Sequence, residues 1–189
     1  MTITAGVDLG TGTIKTVLFK IEGDQMEWLA RRSDRIRQRD PFDLAEKGYD
    51  AVKGDFNLIL EKYSDKDGGK LAKMIFAKIC YDGGDYDRSI ELYKLALQDF
   101  DTQPFYKSRI LCNLGYLYAD KGDYDNAVKY FEMVEVISGS TDKDEALFNL
   151  AGIFATKGLL EKSNNTYKKL IDNYPNSTYL DISKENILP

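Results

Sequence analysis

The sequence predicts a mainly α-helical fold, a superhelix of helical hairpins preceded by a short β-rich extension. Three observations carry this. First, apolar and small residues recur at spacings of three and four in paired blocks, Leu111, Leu114, Gly115 and Tyr118, then Tyr124, Ala127, Phe131 and Val134. Second, the paired block repeats: Ala77, Cys80, Tyr86, Ser89, Tyr93 and Ala96 lie upstream, and Leu147, Leu150, Ala151, Phe154, Leu160, Ser163, Tyr167 and Leu170 lie downstream. The turn glycines Gly84, Gly122 and Gly158 stand 38 and 36 residues apart. Third, residues 1–31 have strand-like composition.

In that first stretch, Ile3–Leu9, Ile14–Phe19 and Met26–Arg31 read as strands, separated by turns at Gly10–Thr13 and Glu22–Asp24. The first turn, Asp8-Leu-Gly-Thr-Gly-Thr-Ile-Lys15, suits phosphate. Glycines let backbone N–H groups approach phosphate oxygens, threonine hydroxyls donate to the same oxygens, and an aspartate can hold Mg²⁺ through water. Lys15 would neutralise charge during phosphoryl transfer. Residues 1 to about 45 (MTITAGVDLGTGTIKTVLFKIEGD, Glu27-Trp-Leu-Ala-Arg-Arg, RIRQRDPFDLAE) resemble the opening of ATPase subunits of benzoyl-CoA reductases and activator ATPases of 2-hydroxyacyl-CoA dehydratases. The resemblance implies a fragment of an actin-like fold. It implies that Asp8, Gly10, Thr11, Gly12, Thr13 and Lys15 correspond to the first phosphate loop for ATP and Mg²⁺. In that family, ATP hydrolysis drives low-potential electron transfer from an iron–sulfur cluster. The later phosphate loop, the adenosine-binding glycines and the cluster-ligating cysteines of that family do not follow here. The loop is therefore expected to stand without its enzyme, and no catalytic residue is assigned.

Arg31, Arg32, Arg35, Arg37 and Arg39 form a basic cluster, but Glu22, Asp24, Glu27, Asp34 and Asp40 flank or interrupt it. It reads as a solvated strand end and linker. Asp40 and Pro41 suit the cap and first turn of a helix, whose stripe runs Leu44, Gly48, Tyr49, Val52, Phe56, Ile59 and Leu60. Tyr49, Val52, Phe56 and Ile59 match the second helix of a hairpin whose first helix is missing. Either a fusion, natural or engineered, or an error of gene assembly would join two incomplete pieces in this way. The expected divisions are 1–40 for the three strands, 41–66 for the junction helix, 67–104, 105–140 and 141–175 for three hairpins, and 176–189 for a capping helix. In the last, Pro175 stops the preceding helix and Ser177 or Thr178 caps a short one running through Ile187.

The hairpin pattern, L-G-x-x-Y followed by G-D-Y and A-x-x-x-F, resembles the tetratricopeptide repeat, without its first-helix tryptophan and two to four residues longer per unit. The resemblance implies a right-handed superhelix whose first helices line a groove for a protein or peptide. By helical phase the groove residues are Met74, Lys78, Tyr81, Arg109, Cys112, Asn113, Tyr116, Phe148 and Asn149. The set lacks the paired lysines and asparagines that clamp chaperone carboxylates. Tyr86, Tyr93, Tyr118, Tyr124 and Tyr167 fall at packing positions, where the ring is buried and the hydroxyl reaches the surface.

Bulk properties narrow the classes. Net charge is −5, which disfavours nucleic acid. There is no histidine, which removes histidine triads and most zinc sites, and the two cysteines, Cys80 and Cys112, fit as buried hydrophobes. Without an apolar run of membrane-spanning length or a leader pattern, the chain reads as cytoplasmic, with no metal and no resident cofactor. The expectation is a non-catalytic interaction scaffold; the alternative is an ATP-binding subunit or fragment of the reductase type.

Overall fold

The computed structural model describes residues 2–10, 13–22, 25–35 and 41–187, those before 48 by secondary structure alone. Strands β1 (Thr2–Gly10), β2 (Thr13–Glu22) and β3 (Gln25–Arg35) lie antiparallel in the order β1-β2-β3, with a register irregularity at Leu18/Phe19. Eight helices follow among the described residues: α1 (Pro41–Tyr63), α2 (Asp67–Asp82), α3 (Tyr86–Asp99), α4 (Pro104–Asp120), α5 (Tyr124–Glu135), α6 (Lys143–Thr156), α7 (Leu160–Asn173) and α8 (Leu180–Glu185). Residues 48–187 contain no strand. The chain divides into two compact units, Met1–Asp99 and Phe100–Pro189.

The expected hairpin turns form by one mechanism. Gly84, Gly122 and Gly158 have φ of 80°, 74° and 72°, a conformation a Cβ disfavours. Around Gly122, the glycine N–H donates to Ala119 O at 2.9 Å and the Asp123 N–H to Tyr118 O at 2.8 Å, the paired bonds of a Schellman motif. The same pair closes the turns at Gly84 and Gly158.

In the first unit, α1 packs on α2 through Phe56 and Phe76, stacked at 4.9 Å and 6°. Val52, Phe56 and Ile59 are buried as their spacing predicts. The Tyr49 hydroxyl donates to Asp85 Oδ2 at 2.5 Å, tying α1 to the first hairpin's turn. Asp85 also caps α3 by accepting from the Arg88 N–H at 3.1 Å. Inside the hairpin, Ser89 Oγ donates to Ala77 O at 2.7 Å, which satisfies a fully buried hydroxyl.

In the second unit, small residues bring paired helices together. A Cβ on Gly115 would lie 2.7 Å from the Phe131 ring, so α4 and α5 approach as only glycine permits. Ala151 is fully buried and Tyr167 nearly so, as in the expected α6/α7 contact. Of the packing tyrosines, Tyr93 and Tyr167 are buried, whereas Tyr86 is exposed.

Of the two expected helix caps, the one at Asp40 lies outside the described residues, and the one at Ser177 or Thr178 needs correction, since the residue before α8 is Tyr179. Ser177 does not cap α8: the Tyr179 N–H donates to its Oγ at 3.1 Å in a local turn, and α8 starts at Leu180 with no side-chain cap. A serine hydroxyl satisfied by a turn and by a carboxylate on α6 has no helix amide left to serve.

Candidate functional site

The first helices α4 and α6 of the second unit carry a polar network. Arg109 and Glu145 stand 36 residues apart, at equivalent places on successive first helices, as do Asn113 and Asn149. Arg109 Nη2 donates to Asp142 Oδ1 at 2.6 Å and Nη1 to Glu145 Oε2 at 3.1 Å. Ser108 Oγ donates to the other Asp142 oxygen at 2.6 Å, in a buried position. The Tyr116 hydroxyl donates to Glu145 Oε1 at 2.6 Å and accepts from Asn149 Nδ2 at 3.0 Å. Asn149 Nδ2 also reaches Glu145 O at 2.7 Å, so its amide is fixed from two sides.

Asp142 is 2% exposed, Glu145 17% and Arg109 43%. Burial works against the Arg109 charge, but the two carboxylates outweigh it and hold its pKa above the ordinary guanidinium value. Burial, then the bond to Glu145, pushes the Tyr116 hydroxyl up, so it stays a neutral donor across the physiological range. The Cys112 thiol, fully buried, is raised by desolvation and then by Glu145 and Asp142.

Beside the network, the Phe148 ring stacks on Tyr179 at 4.7 Å and 21°, and Ser177 Oγ donates to Asp144 Oδ2 at 2.6 Å. A cleft of about 400 Å³ opens elsewhere on the unit, lined in part by Pro104, Leu111, Met133 and Val136; no candidate groove residue lines it.

The structure thus brings Arg109, Tyr116 and Asn149 into one hydrogen-bonded row, with Asn113 and Phe148 half-buried on the same two helices. Cys112 is placed in the interior, where it cannot contact a partner without rearrangement. In the first unit, Met74 is half-buried, Lys78 pairs with Asp82, and Tyr81 lies against Tyr86 at 5.7 Å. Thr11 and Gly12 lie outside the described residues, and Asp8, Gly10, Thr13 and Lys15 are described by secondary structure alone. Asp142, Glu145, Ser177 and Tyr179 were missed. The repeat interval was the available signal for Glu145, because it places a carboxylate opposite Arg109; Asp142 and the residues after α7 fall outside that phase.

Tetratricopeptide-repeat family models match residues 108–133, which join α4 to α5, and residues 145–177, which join α6 to α7. These two segments are tetratricopeptide repeats. Solved helical-repeat structures share the fold. They include the Arabidopsis OM64 TPR domain (TM-score 0.52, 8% identity, 62% of this chain and 93% of that one). BtubC from P. vanneervenii gives 0.58 and 17%, over 82% and 69%. A putative kinesin light chain from Podosopora anserina with nearly identical TPR-like repeats gives 0.57 and 14%, over 80% and 83%. These likenesses lend no support to an actin-like fold for residues 1–40. The N-terminal part is 69% identical over 52 residues to a benzoyl-CoA reductase subunit of Thauera aromatica, covering 28% of this chain and 18% of that protein. The chain therefore spans less than a fifth of that relative. Among the described residues, no helix is long and apolar enough to cross a membrane, and no group of three or more Cys, Asp or Glu side chains is placed to hold a metal.

Proposed function

We propose that the chain is a non-catalytic cytoplasmic scaffold whose repeats bind an extended segment or helix of a partner protein across α4 and α6. The row of Tyr116 and Asn149 held by Glu145 carries this reading. Their polar groups are oriented before any partner arrives, which lowers the ordering cost of binding. Arg109 is committed to Asp142 and Glu145, so a partner's terminal carboxylate would have to displace an existing pair. A neutral main-chain or side-chain amide fits the row better. The test is peptide selection by display on the intact protein, followed by titration of the selected peptide into an Asn113→Ala/Asn149→Ala variant. Affinity about tenfold weaker in the variant is expected, roughly 1.4 kcal/mol. Unchanged affinity, or no saturable peptide at all, would sink the reading.

The similarity to the Thauera aromatica reductase protein favours a second reading, in which Asp8, Gly10, Thr11, Gly12, Thr13 and Lys15 retain affinity for MgATP or MgADP. A nucleotide at about 100 times its Kd would stabilise the chain by about 2.7 kcal/mol. That is a rise of roughly 5–10 °C in Tm for a chain of this size, if binding is coupled to the main transition. No rise at millimolar MgATP and MgADP retires this reading.

A further inference from the structure

We propose that residues 174–187 form a displaceable strap whose turn, between α7 and α8, lies over the first-helix face of the last repeat, while α8 itself packs on α7. This deepens the partner-binding reading, because the strap covers Phe148, a residue of the proposed groove. Ser177 and Tyr179 anchor it. Ser177 Oγ donates to Asp144 Oδ2 at 2.6 Å, and the Tyr179 ring stacks on Phe148 at 4.7 Å. Asp144 and Phe148 stand four residues apart and so share one face of α6. The Tyr179 N–H closes the turn onto Ser177 Oγ at 3.1 Å, which sets the hydroxyl and the ring at a fixed separation.

The hold is modest for a terminal helix. α8 has six residues and no side-chain cap, and Ile182 is 46% exposed. The Ser183 hydroxyl is fully buried with no hydrogen-bond partner among the described residues, which opposes closure. What favours closure is tethering. Ser177 follows Tyr174, the residue after α7, by three positions, so the anchors are presented to α6 at millimolar effective concentration or above. The strap also displays the chemistry its site accepts: a hydroxyl donor for Asp144 and, two residues later, an aromatic ring for Phe148. A partner segment with that pairing would compete with it directly.

The experiment uses the full chain and a fluorescent peptide of residues 174–187. The wild-type chain, its site occupied internally, binds the peptide weakly; a Ser177→Ala/Tyr179→Ala chain binds it at least tenfold tighter, and adding Phe148→Ala to that variant removes the gain. Equal binding by wild type and variant overturns the proposal. So does a lack of saturable binding by a variant whose helical circular dichroism matches wild type. Should the double variant unfold, Ser177→Ala alone serves, with a smaller gain expected and no gain overturning the idea. Because the peptide is the chain's own, failure of the display-selected peptides would sink the partner reading without deciding this one.

Discussion

Gly115 and Gly152 lie inside first helices of successive repeats, and the same substitution should act on them with opposite sign. Replacing a helical glycine by alanine gains about 0.8–1.0 kcal/mol of intrinsic helix stability at either site. At Gly152 the new methyl group would meet only the Tyr167 hydroxyl, at 3.8 Å, so the gain is retained. At Gly115 it would meet three Phe131 ring atoms at 2.7 to 2.8 Å. That ring is 1% exposed and makes an edge contact with Tyr116 at 5.4 Å, so it has little room to yield. Overpacking of this kind costs about 1–3 kcal/mol, and more where the backbone must part. The expected result is Gly152→Ala stabilised by about 0.5–1 kcal/mol and Gly115→Ala destabilised by about 0–2 kcal/mol, the two separated by roughly 2 kcal/mol. Urea unfolding followed by circular dichroism measures both, with an unchanged m-value as the check that only stability moved. In a thermal scan the gap would be roughly 4–8 °C. Equal stability of the two variants would refute the close approach of α4 and α5.

Tyr49→Phe removes the donor to Asp85 and should cost about 1–2 kcal/mol in the unfolding of the first unit, while Arg88 keeps its cap on the same carboxylate. Asp142→Ala strands a buried serine hydroxyl and half of the Arg109 fork; because Arg109 is 43% exposed and can turn to water, the loss should be about 1.5–3 kcal/mol by urea titration, short of the value for a fully buried pair. Ser183→Ala deletes a buried hydroxyl that has no partner among the described residues and should stabilise the chain by up to about 1 kcal/mol in the same assay. Burial, followed by the Asp85 carboxylate, pushes the Cys80 thiol from 9.0 up to about 12. Above pH 9 the unfolded chain loses this proton and the folded chain keeps it, so stability falls as pH rises, by about 1.4 kcal/mol per pH unit for this group until its folded pKa is reached. Cys80→Ala should therefore flatten the fall measured between pH 8 and pH 10; an unchanged slope would show that Cys80 does not carry it.

The repeats were legible because each hairpin records its geometry locally. A small residue such as Gly115 or Ala151 marks the helix contact, an aromatic sixteen positions later fills it, and a glycine between them turns the chain. The groove face was legible only by phase, and phase says which residues share a side, not what they are doing there. Arg109 was a groove cation in sequence and is a committed ion-pair partner in structure. Cys112 shared the phase but is fully buried, and phase alone does not report depth. The occupation of Phe148 by Tyr179 was out of reach, since it depends on how the chain turns after Pro175, and neither proline nor serine specifies where that turn carries the ring.

The three hairpin corners differ in one respect with a kinetic consequence. At the first two, a single aspartate both closes the corner through its N–H and starts the next helix with its carboxylate, Asp85 on the Arg88 N–H and Asp123 on the Asn126 N–H at 3.2 Å. The hydrogen bonds that close these two corners thus join residues no more than five positions apart. At the third corner Leu159 stands in that place and provides no side-chain cap. The amides at the start of α7 therefore rely on the remainder of the repeat being assembled. During synthesis the earlier corners would close as soon as they emerge, whereas α7 would wait. In the finished protein, its first-turn amides should exchange with deuterium ahead of those of α3 and α5.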